Sequence, residues 1–363
     1  MESEYVHVVI YRSGGIGDVV LATSCMDILM DLGLPMKVYW LGREPTLSIL
    51  SESYRCIVPL AIDSAAGLGA NLTYALKRVA QADLIIDLQK SARSQLICWR
   101  LALRYRKRVH SWNKASMART LMVIQGRVRR RMPCPEQEQR SLKPRYFLMA
   151  ECLHRALGLS DRAVLLKARP RLPLSPGLRH QGEQQYRLGI GLGALHPGKE
   201  APLSVFLAIV EVLLRKSTEA GIPPSQISII CLGDETIRGR ASEFCRQLQT
   251  RCRILDCTGQ TSLVEAAAIL RSTQAFLGND SALGHLAEAV GTPVAILFGP
   301  TIEGFGYAPF LPGSASHSIP LGCRPCTKDG ATNCRYHDRR CFTGIDPEAV
   351  AGQILWLWKE ADR

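Results

Sequence analysis

The sequence predicts an α/β protein made of two halves, each built around a parallel sheet. Three observations carry that prediction. Short apolar runs alternate with longer segments of helical apolar spacing, the pattern of βαβ units. The alternation occurs twice, on either side of the Pro-rich, polar stretch "KARPRLPLSPGLRHQGEQQ". The chain has 363 residues, which suits two domains of about 150–200 residues each. A hydrophobic content of 47% against 21% charged residues is enough to bury two cores and excludes a disordered chain.

In the first half, "VHVVIYR" reads as a strand and is followed by a glycine loop. "DVVLATSCMDILMDLG" has helical spacing and stops at Gly33, a C-cap signal. "MKVYWLG" is a second strand, "EPTLSILSES" a helix and "CIVPLAI" a third strand. "LTYALKRVAQAD" is helical and "LIIDLQ" is a buried strand. The pattern then weakens through a basic stretch until "RYFLMAECLHRALGLS" restores a helix.

The second half repeats the scheme. "YRLGIGLGA", "QISIICLG", "RILDCTG", "QAFLGND" and "PVAILFGP" are strands. The helices between them are "PLSVFLAIVEVLLRKSTEAG", "GRASEFCRQLQT", "SLVEAAAILRST" and "ALGHLAEAVG". A closing helix, "DPEAVAGQILWLWKEA", starts with Asp346 as cap and Pro347 at the first helical position. The expected organisation is therefore a first domain over 1–165 with a basic insert at 104–145, a linker over 166–186, a second domain over 187–345 with a Cys-rich insert at 323–341, and a C-terminal helix over 346–363.

The net charge of +13 is local. Residues 104–145 hold thirteen Lys or Arg and two acidic residues, a net of +11. Such a patch attracts a polyanion: nucleic acid, a phosphorylated glycan or an anionic membrane face. No apolar run reaches the ~18–20 residues that span a bilayer, and the start "MESEYVHVVI" lacks the features of a signal peptide, so a cytoplasmic protein is expected.

The thirteen cysteines are odd in number, so a complete disulfide framework is not expected. Cys25, Cys98, Cys152 and Cys231 sit singly in apolar surroundings and read as small core residues. Cys323, Cys326, Cys334 and Cys341 form a C-x2-C-x7-C-x6-C array in "CRPCTKDGATNCRYHDRRC". The first spacing is that of a metal knuckle, and the others are not those of a zinc ribbon. Two readings stay open: a structural Zn or Fe, and reduced thiols packed on the domain.

Four loops follow predicted strands and carry candidate chemistry. In "YRSGGIGDVVLATS", Gly14, Gly15 and Gly17 precede Asp18. A dinucleotide fingerprint fails because its third glycine falls on Val20, and no Gly-Lys-Ser/Thr follows to make a P-loop. The glycines let the backbone approach a ligand, and on spacing alone Asp18 reads as a helix N-cap. In "FLGNDSALGHLAEAVGTPVAILFGPT", Asp280 and Ser281 lie between a strand and a helix, with Ala282, Gly284 and His285 just inside it. A helix start with a hydroxyl and small residues suits a phosphate, and Asp280 suits a ribose or sugar hydroxyl. "GALHPGKEAPLSVF" places Lys199 after Gly198, and "CLGDETI" places Asp234 and Glu235 at the next strand end.

Together "SGGIGDVVLATS", "HPGKEAP", "TGQTSLVEAAAIL" and above all "GNDSALGHLAEAVGTPVAILFGPT" resemble the bacterial heptosyltransferases, the family-nine glycosyltransferases that use ADP-heptose. The resemblance covers most of both halves and hardly touches the basic stretch. It implies the GT-B fold: two Rossmann-like parallel-sheet domains facing a central cleft, the acceptor mainly on the first, the nucleotide sugar mainly on the second, and a C-terminal helix crossing back to the first. Residue by residue, it implies Asp18 as general base and Lys199 on the donor phosphates. Asp280 would hold the donor sugar or ribose, with His285 five residues on. Glu235 would meet the nucleotide's ribose, and Thr261, Ser262 and Leu263 would lie near its base. Gly14, Gly15, Gly17, Gly198, Ser281, Ala282 and Gly284 complete the implied substrate-binding set. Where the family has a longer loop and a Lys-Arg-Trp-Pro-like run, this chain has Lys199-Glu200-Ala201-Pro202.

The implied activity is an inverting, metal-independent transfer of a heptose-like sugar from ADP-heptose to a lipopolysaccharide core or related glycan, with a protein acceptor as a further class. The basic stretch would then draw in a phosphorylated glycolipid acceptor and a peripheral, anionic inner-membrane face. The alternatives are a nucleic-acid-binding protein with a four-cysteine metal module and a GT-B nucleotide-sugar epimerase. Nucleic acid is the less expected partner, because only Tyr105, Trp112 and Tyr146 stand near the arginines as stacking aromatics.

Overall fold

The computed structural model describes residues 5–63, 65–129, 141–174 and 186–361. The chain divides into two units, Met1–Lys114 with Arg145–Pro176, and Ala115–Pro144 with Gly177–Arg363.

In chain order the first unit holds β1 (Val6–Tyr11), α1 (Ile16–Ala22), α2 (Ser24–Asp31), β2 (Met36–Gly42), α3 (Thr46–Ser53), β3 (Ile57–Ala61), α4 (Leu68–Arg78), β4 (Leu84–Asp87), α5 (Ala92–Tyr105) and β5 (Val109–Ser111). The chain then leaves for α6 (Ser116–Arg129) of the second unit and returns as α7 (Arg145–Ala156) and α8 (Arg162–Lys167). The second unit continues with β6 (Tyr186–Gly191), α9 (Leu203–Glu219), β7 (Ile227–Leu232), α10 (Arg238–Leu248), β8 (Arg253–Asp256), α11 (Leu263–Arg271), β9 (Ala275–Asn279), α12 (Ala282–Ala289), β10 (Val294–Leu297), β11 (Ala315–His317), α13 (Arg340–Thr343) and α14 (Pro347–Ala361).

Both sheets are parallel throughout. Their strand orders are β3-β2-β1-β4-β5 and β11-β10-β9-β6-β7-β8. Helices cover parallel sheets on both faces, so their strands are continuous apolar runs. "LIID" of β4 and "ISIICL" of β7 are buried along their whole length. In each sheet the order reverses once. The first sheet reverses between β1 and β4 and the second between β6 and β9. The loops that leave the carboxyl ends of strands at such a reversal splay apart, and ligands of open α/β sheets bind there. Arg12 to Asp18 follow β1, Lys199 follows β6 and Asp280 follows β9.

Several elements depart from expectation. The long first helix is two helices, broken at Thr23, whose hydroxyl donates back to the Val20 carbonyl at 2.7 Å and competes with the helix ladder. Gly33 ends the second of them with φ +62.

The basic insert does not belong to one domain. Residues 104–114 stay with the first unit, while 115–129 and 141–144 join the second, because α6 buries Met122 and Val123 against Ile302 and Phe305; residues 130–140 lie outside the described residues. The C-terminal helix clusters with the second unit. Val350, Ala351, Ile354, Leu357 and Trp358 of α14 enter the core that holds Phe206 and Leu213 of α9. Of the expected linker over 166–186, residues 175–185 lie outside the described residues.

Candidate functional site

In the first unit, β1 ends at Tyr11 and delivers Arg12 and Ser13, both buried, to the reversal point. Gly15, not Asp18, is the N-cap of α1. Asp18 lies one turn inside, where its carboxylate meets Arg12 Nη2 at 2.5 Å and Arg145 Nε at 3.5 Å. The N-cap expectation is therefore corrected: Gly15 holds the cap position, and two guanidinium groups hold this carboxylate.

Arg12 reaches from β1 across to β4, where its Nη1 donates to the Leu88 carbonyl at 2.7 Å. Arg145, the first residue of α7, lies over the Trp112 ring at 4.7 Å from its centroid. Lys114 donates to the Gln89 carbonyl. Burial lowers the Lys114 pKa, repulsion by Arg12 and Arg145 lowers it further, and Asp18 and Asp87 oppose the shift. Three cations thus gather around Asp18. Its side chain keeps 27% of its surface exposed, which is enough for a hydroxyl to reach it. Sequence reasoning missed Arg12, Lys114 and Arg145 as site residues. Arg12 directly precedes the glycine loop, and that position was the available signal.

In the second unit, Lys199 ends a single 3-10 turn, Pro197–Lys199, after β6. Its Nζ lies 2.7 Å from Asp280 Oδ2, and the Thr301 hydroxyl donates to the same oxygen at 2.8 Å. Burial pushes the Asp280 carboxyl up, but Lys199, Thr301 and His285 outweigh it and hold the pKa below its ordinary value. Asn279 fixes the register between the two loops. Its amide donates to the Leu192 carbonyl, and its oxygen accepts from the Ala201 N–H, both at 2.9 Å.

Ser281 is the N-cap of α12, but its hydroxyl makes no cap bond, is buried, and has no hydrogen-bond partner among the described residues. An unsatisfied hydroxyl at a helix start is where an anionic ligand would be held. Asp280, Ser281, Gly284 and His285 line one cavity of about 10 Å³ with Glu288 and Tyr307. The His285 ring lies 5.8 Å from that of Tyr307. Ala282 begins α12 beside them.

Glu235 and the 261–263 loop follow β7 and β8, the next strand ends outward from β6. The Gly259 N–H donates to the Gly233 carbonyl at 2.9 Å and ties these two loops together. Glu235 is exposed and pairs with Arg238 at 2.8 Å. Ser262 caps α11 in a reciprocal box with Glu265, so its hydroxyl is committed to the helix. Thr261 precedes the cap and Leu263 starts the helix. Of the residues expected in the second unit, Lys199 meets Asp280 directly, Asp280, Ser281, Gly284 and His285 line one cavity, and Glu235 and Thr261 to Leu263 follow the next strand ends.

Gly198 packs its backbone against the Cys-rich segment, where a Cβ would come within 2.3 Å of the Gly330 carbonyl oxygen. Cys323, Cys326, Cys334 and Cys341 line a single cavity of about 440 Å³ together with Arg127, Arg324, Arg335 and Arg339. Burial raises the Cys326 thiol and pushes that of Cys341 up to about 12. No disulfide joins cysteines among the described residues, and no group of three or more His, Cys, Asp or Glu among them is disposed to hold a metal ion.

The model of glycosyltransferase family 9 (heptosyltransferase) matches residues 71–337, which include the 3-10 turn, Asp280 and most of the Cys-rich segment. The chain belongs to glycosyltransferase family 9. Lipopolysaccharide heptosyltransferase 1 of Pseudomonas aeruginosa is 35% identical over 111 residues, covering 26% of this chain and 29% of that relative. ADP-heptose lipopolysaccharide heptosyltransferase II of E. coli superposes with a TM-score of 0.67 at 17% identity, covering 99% of this chain and 100% of that one. The iron-containing dodecameric glycosyltransferase TibC of enterotoxigenic E. coli superposes at 0.56 with 14% identity, covering 99% and 77%. The fold of this family 9 member is thus the expected GT-B fold. The family assignment favours neither the nucleic-acid-binding nor the epimerase alternative. Among the described residues no helix is long and apolar enough to cross a membrane.

Proposed function

We propose that this family 9 member is an inverting heptosyltransferase that uses ADP-heptose and transfers its sugar to a lipopolysaccharide core or related glycan. The observation that carries this reading is the Lys199–Asp280–Thr301 cluster at the reversal point of the second sheet, beside the unsatisfied Ser281 hydroxyl. The superposed E. coli enzyme is an ADP-heptose heptosyltransferase, which supports the donor.

The second unit is the donor side. Lys199 exchanges its carboxylate partner for the donor's diphosphate, and Ser281 and the first N–H groups of α12 add hydrogen bonds to it. Asp280, once released, accepts from a sugar or ribose hydroxyl, with His285 next to it. Glu235 meets the ribose, and Thr261 to Leu263 border the base. The first unit is the acceptor side. Asp18, held by Arg12 and Arg145, takes the proton from the attacking hydroxyl. The hydroxyl oxygen bonds to the anomeric carbon as the bond to the diphosphate breaks, ADP leaves, and the anomeric centre inverts. Lys199 stabilises the charge that grows on the leaving phosphate, so no step requires a metal.

Two further components belong to this reading. The arginines of α6 and its exposed Met117, Leu121, Ile124 and Val128 support peripheral contact with an anionic membrane that carries a phosphorylated acceptor. The four thiols around one cavity, and an iron-containing glycosyltransferase of the same fold, support a structural zinc or iron, with the segment tightening around it.

Mass spectrometry of products from a panel of ADP- and GDP-sugars, with core-oligosaccharide and peptide acceptors, tests the proposal. The expected product is a heptosylated glycan formed from ADP-heptose only. Transfer from a GDP-sugar with none from ADP-heptose refutes the donor, and a modified peptide in place of the glycan refutes the acceptor.

A further inference from the structure

We propose that Arg339 is a positioning residue for Lys199. On this view the Cys-rich segment 321–341 is a clamp that pre-orders the cation meeting the donor's diphosphate. This rests on the donor-side reading above.

Lys199 sits on a three-residue 3-10 turn, an element with weak hydrogen bonds and little rigidity of its own. One guanidinium group brackets that turn. Arg339 Nη2 donates to the Pro197 carbonyl at 3.0 Å, to the Gly198 carbonyl at 3.2 Å and to the Glu200 carbonyl. Lys199 lies inside the bracket. Its stem is fixed as well. Gly330, at φ +88, lays bare backbone against it, and a Cβ there would fall 2.4 Å from Lys199 Cγ. Arg339 itself adopts φ 49, a left-handed conformation that an arginine rarely takes.

The same segment braces the other partner of the lysine. Arg324 Nε donates to the Gly299 carbonyl at 2.6 Å and Nη2 to the Thr301 carbonyl at 3.0 Å. The Cys326 N–H donates to the Pro300 carbonyl at 3.0 Å. Thr301 in turn donates to Asp280. A lysine carries four rotatable bonds and loses much rotamer freedom when it grips a phosphate. Bracing its backbone and stem beforehand removes part of that loss and improves binding. The clamp therefore gives a task to a segment too polar and too short to form a core of its own.

The test is ADP binding by calorimetry on the full chain, with melting temperatures recorded alongside. Lys199→Met should weaken ADP binding by roughly tenfold or more, the loss of a charge-assisted contact. Arg339→Met should weaken it severalfold, Arg339→Lys less so, and Gly330→Ala should act like Arg339→Met by displacing the lysine stem. The deciding measurement is the double variant. If Arg339 acts through Lys199, Arg339→Met adds nothing in the Lys199→Met background, whereas a merely structural role adds its full effect in both. Additive losses, or normal ADP binding in Arg339→Met while Lys199→Met is impaired, overturn the clamp and leave the donor site standing. Normal ADP binding in Lys199→Met overturns the donor-side reading itself. If Arg339→Met does not fold, Gly330→Ala alone and combined with Lys199→Met decides by the same criterion.

Discussion

Lys199 Nζ lies 2.7 Å from Asp280 Oδ2, and the two residues meet because β6 and β9 run side by side at the point where the second sheet reverses its order. Both side chains are largely out of water, so each is the other's main compensation for lost hydration.

Lys199→Met should therefore leave a buried carboxylate without its cation and cost about 3–5 kcal/mol at neutral pH. Adding Asp280→Asn should recover part of that loss. The pH dependence has a definite sign. The Asp280 pKa in the folded protein lies below the ordinary 3.8, so the pair's contribution is complete above that value and is lost as pH falls through the lowered one. Thermal melts should show wild type losing its advantage over Asp280→Asn only below about pH 4.

Asp18→Asn should lower kcat by about 10²–10⁴-fold, because the amide cannot accept the acceptor's proton. ADP binding should be unchanged, since Lys199 and Asp280 are untouched. Full turnover in this variant would remove Asp18 from the mechanism.

Glu288 offers a second pH test. It is buried in α12, and its Oε1 accepts from the N–H groups of Phe310 at 2.7 Å and Leu311 at 2.8 Å. Burial raises its pKa to about 7 against those hydrogen bonds. The neutral carboxyl is the form the fold prefers, so its contribution is complete below 4.5 and is lost as pH rises through about 7. Glu288→Gln keeps an acceptor and cannot ionise. Its melting temperature relative to wild type should be higher at pH 8 than at pH 5, by an amount corresponding to at most roughly 3 kcal/mol. An equal difference at both pH values contradicts the assignment.

Helix α6 turns Met122 and Val123 inward and leaves Met117, Leu121, Ile124 and Val128 exposed along one outward row. The helix contains Arg119, Arg127 and Arg129 and no acidic residue. Membrane contact through this row predicts co-sedimentation with phosphatidylglycerol vesicles, weakened by salt and absent with neutral vesicles. Leu121→Glu with Ile124→Glu should abolish it without lowering the melting temperature. Retained vesicle binding in that variant would place the contact elsewhere.

Elemental analysis of protein purified without chelator under reducing conditions should find about one equivalent of zinc or iron if the four-thiol cavity closes on a metal. Less than about a tenth of an equivalent leaves the thiols as packing groups.

Much of the fold was legible in the sequence. Runs such as "VHVVIY" and "ISIICL" are mostly apolar, interrupted only by His7 and Ser228, because both faces of a parallel strand are covered, and that signal is local. Helices α5 and α6 were not legible. Arginines interrupt their apolar spacing, and what makes α6 a helix is burial against Ile302 and Phe305, far away in the chain. The placement of α14 depended in the same way on its docking against α9. At the sites, Asp18, Lys199 and Asp280 stood out by their loops. Arg12, Arg145 and Arg339 did not, because one arginine among many carries no signal until its partners are known.

What the sequence determined by itself is the order of the strands and helices outside the basic stretch and its approach, and which loops bear glycines, carboxylates and a lysine, since these depend on residues a few positions apart. The tertiary structure alone decided which loops became neighbours. It put β9 rather than β8 beside β6, folded the basic stretch into two different units, and brought Arg339 onto the turn that carries Lys199. Strand order and helix docking are set by burying apolar faces that lie far apart along the chain, and no local pattern encodes that choice.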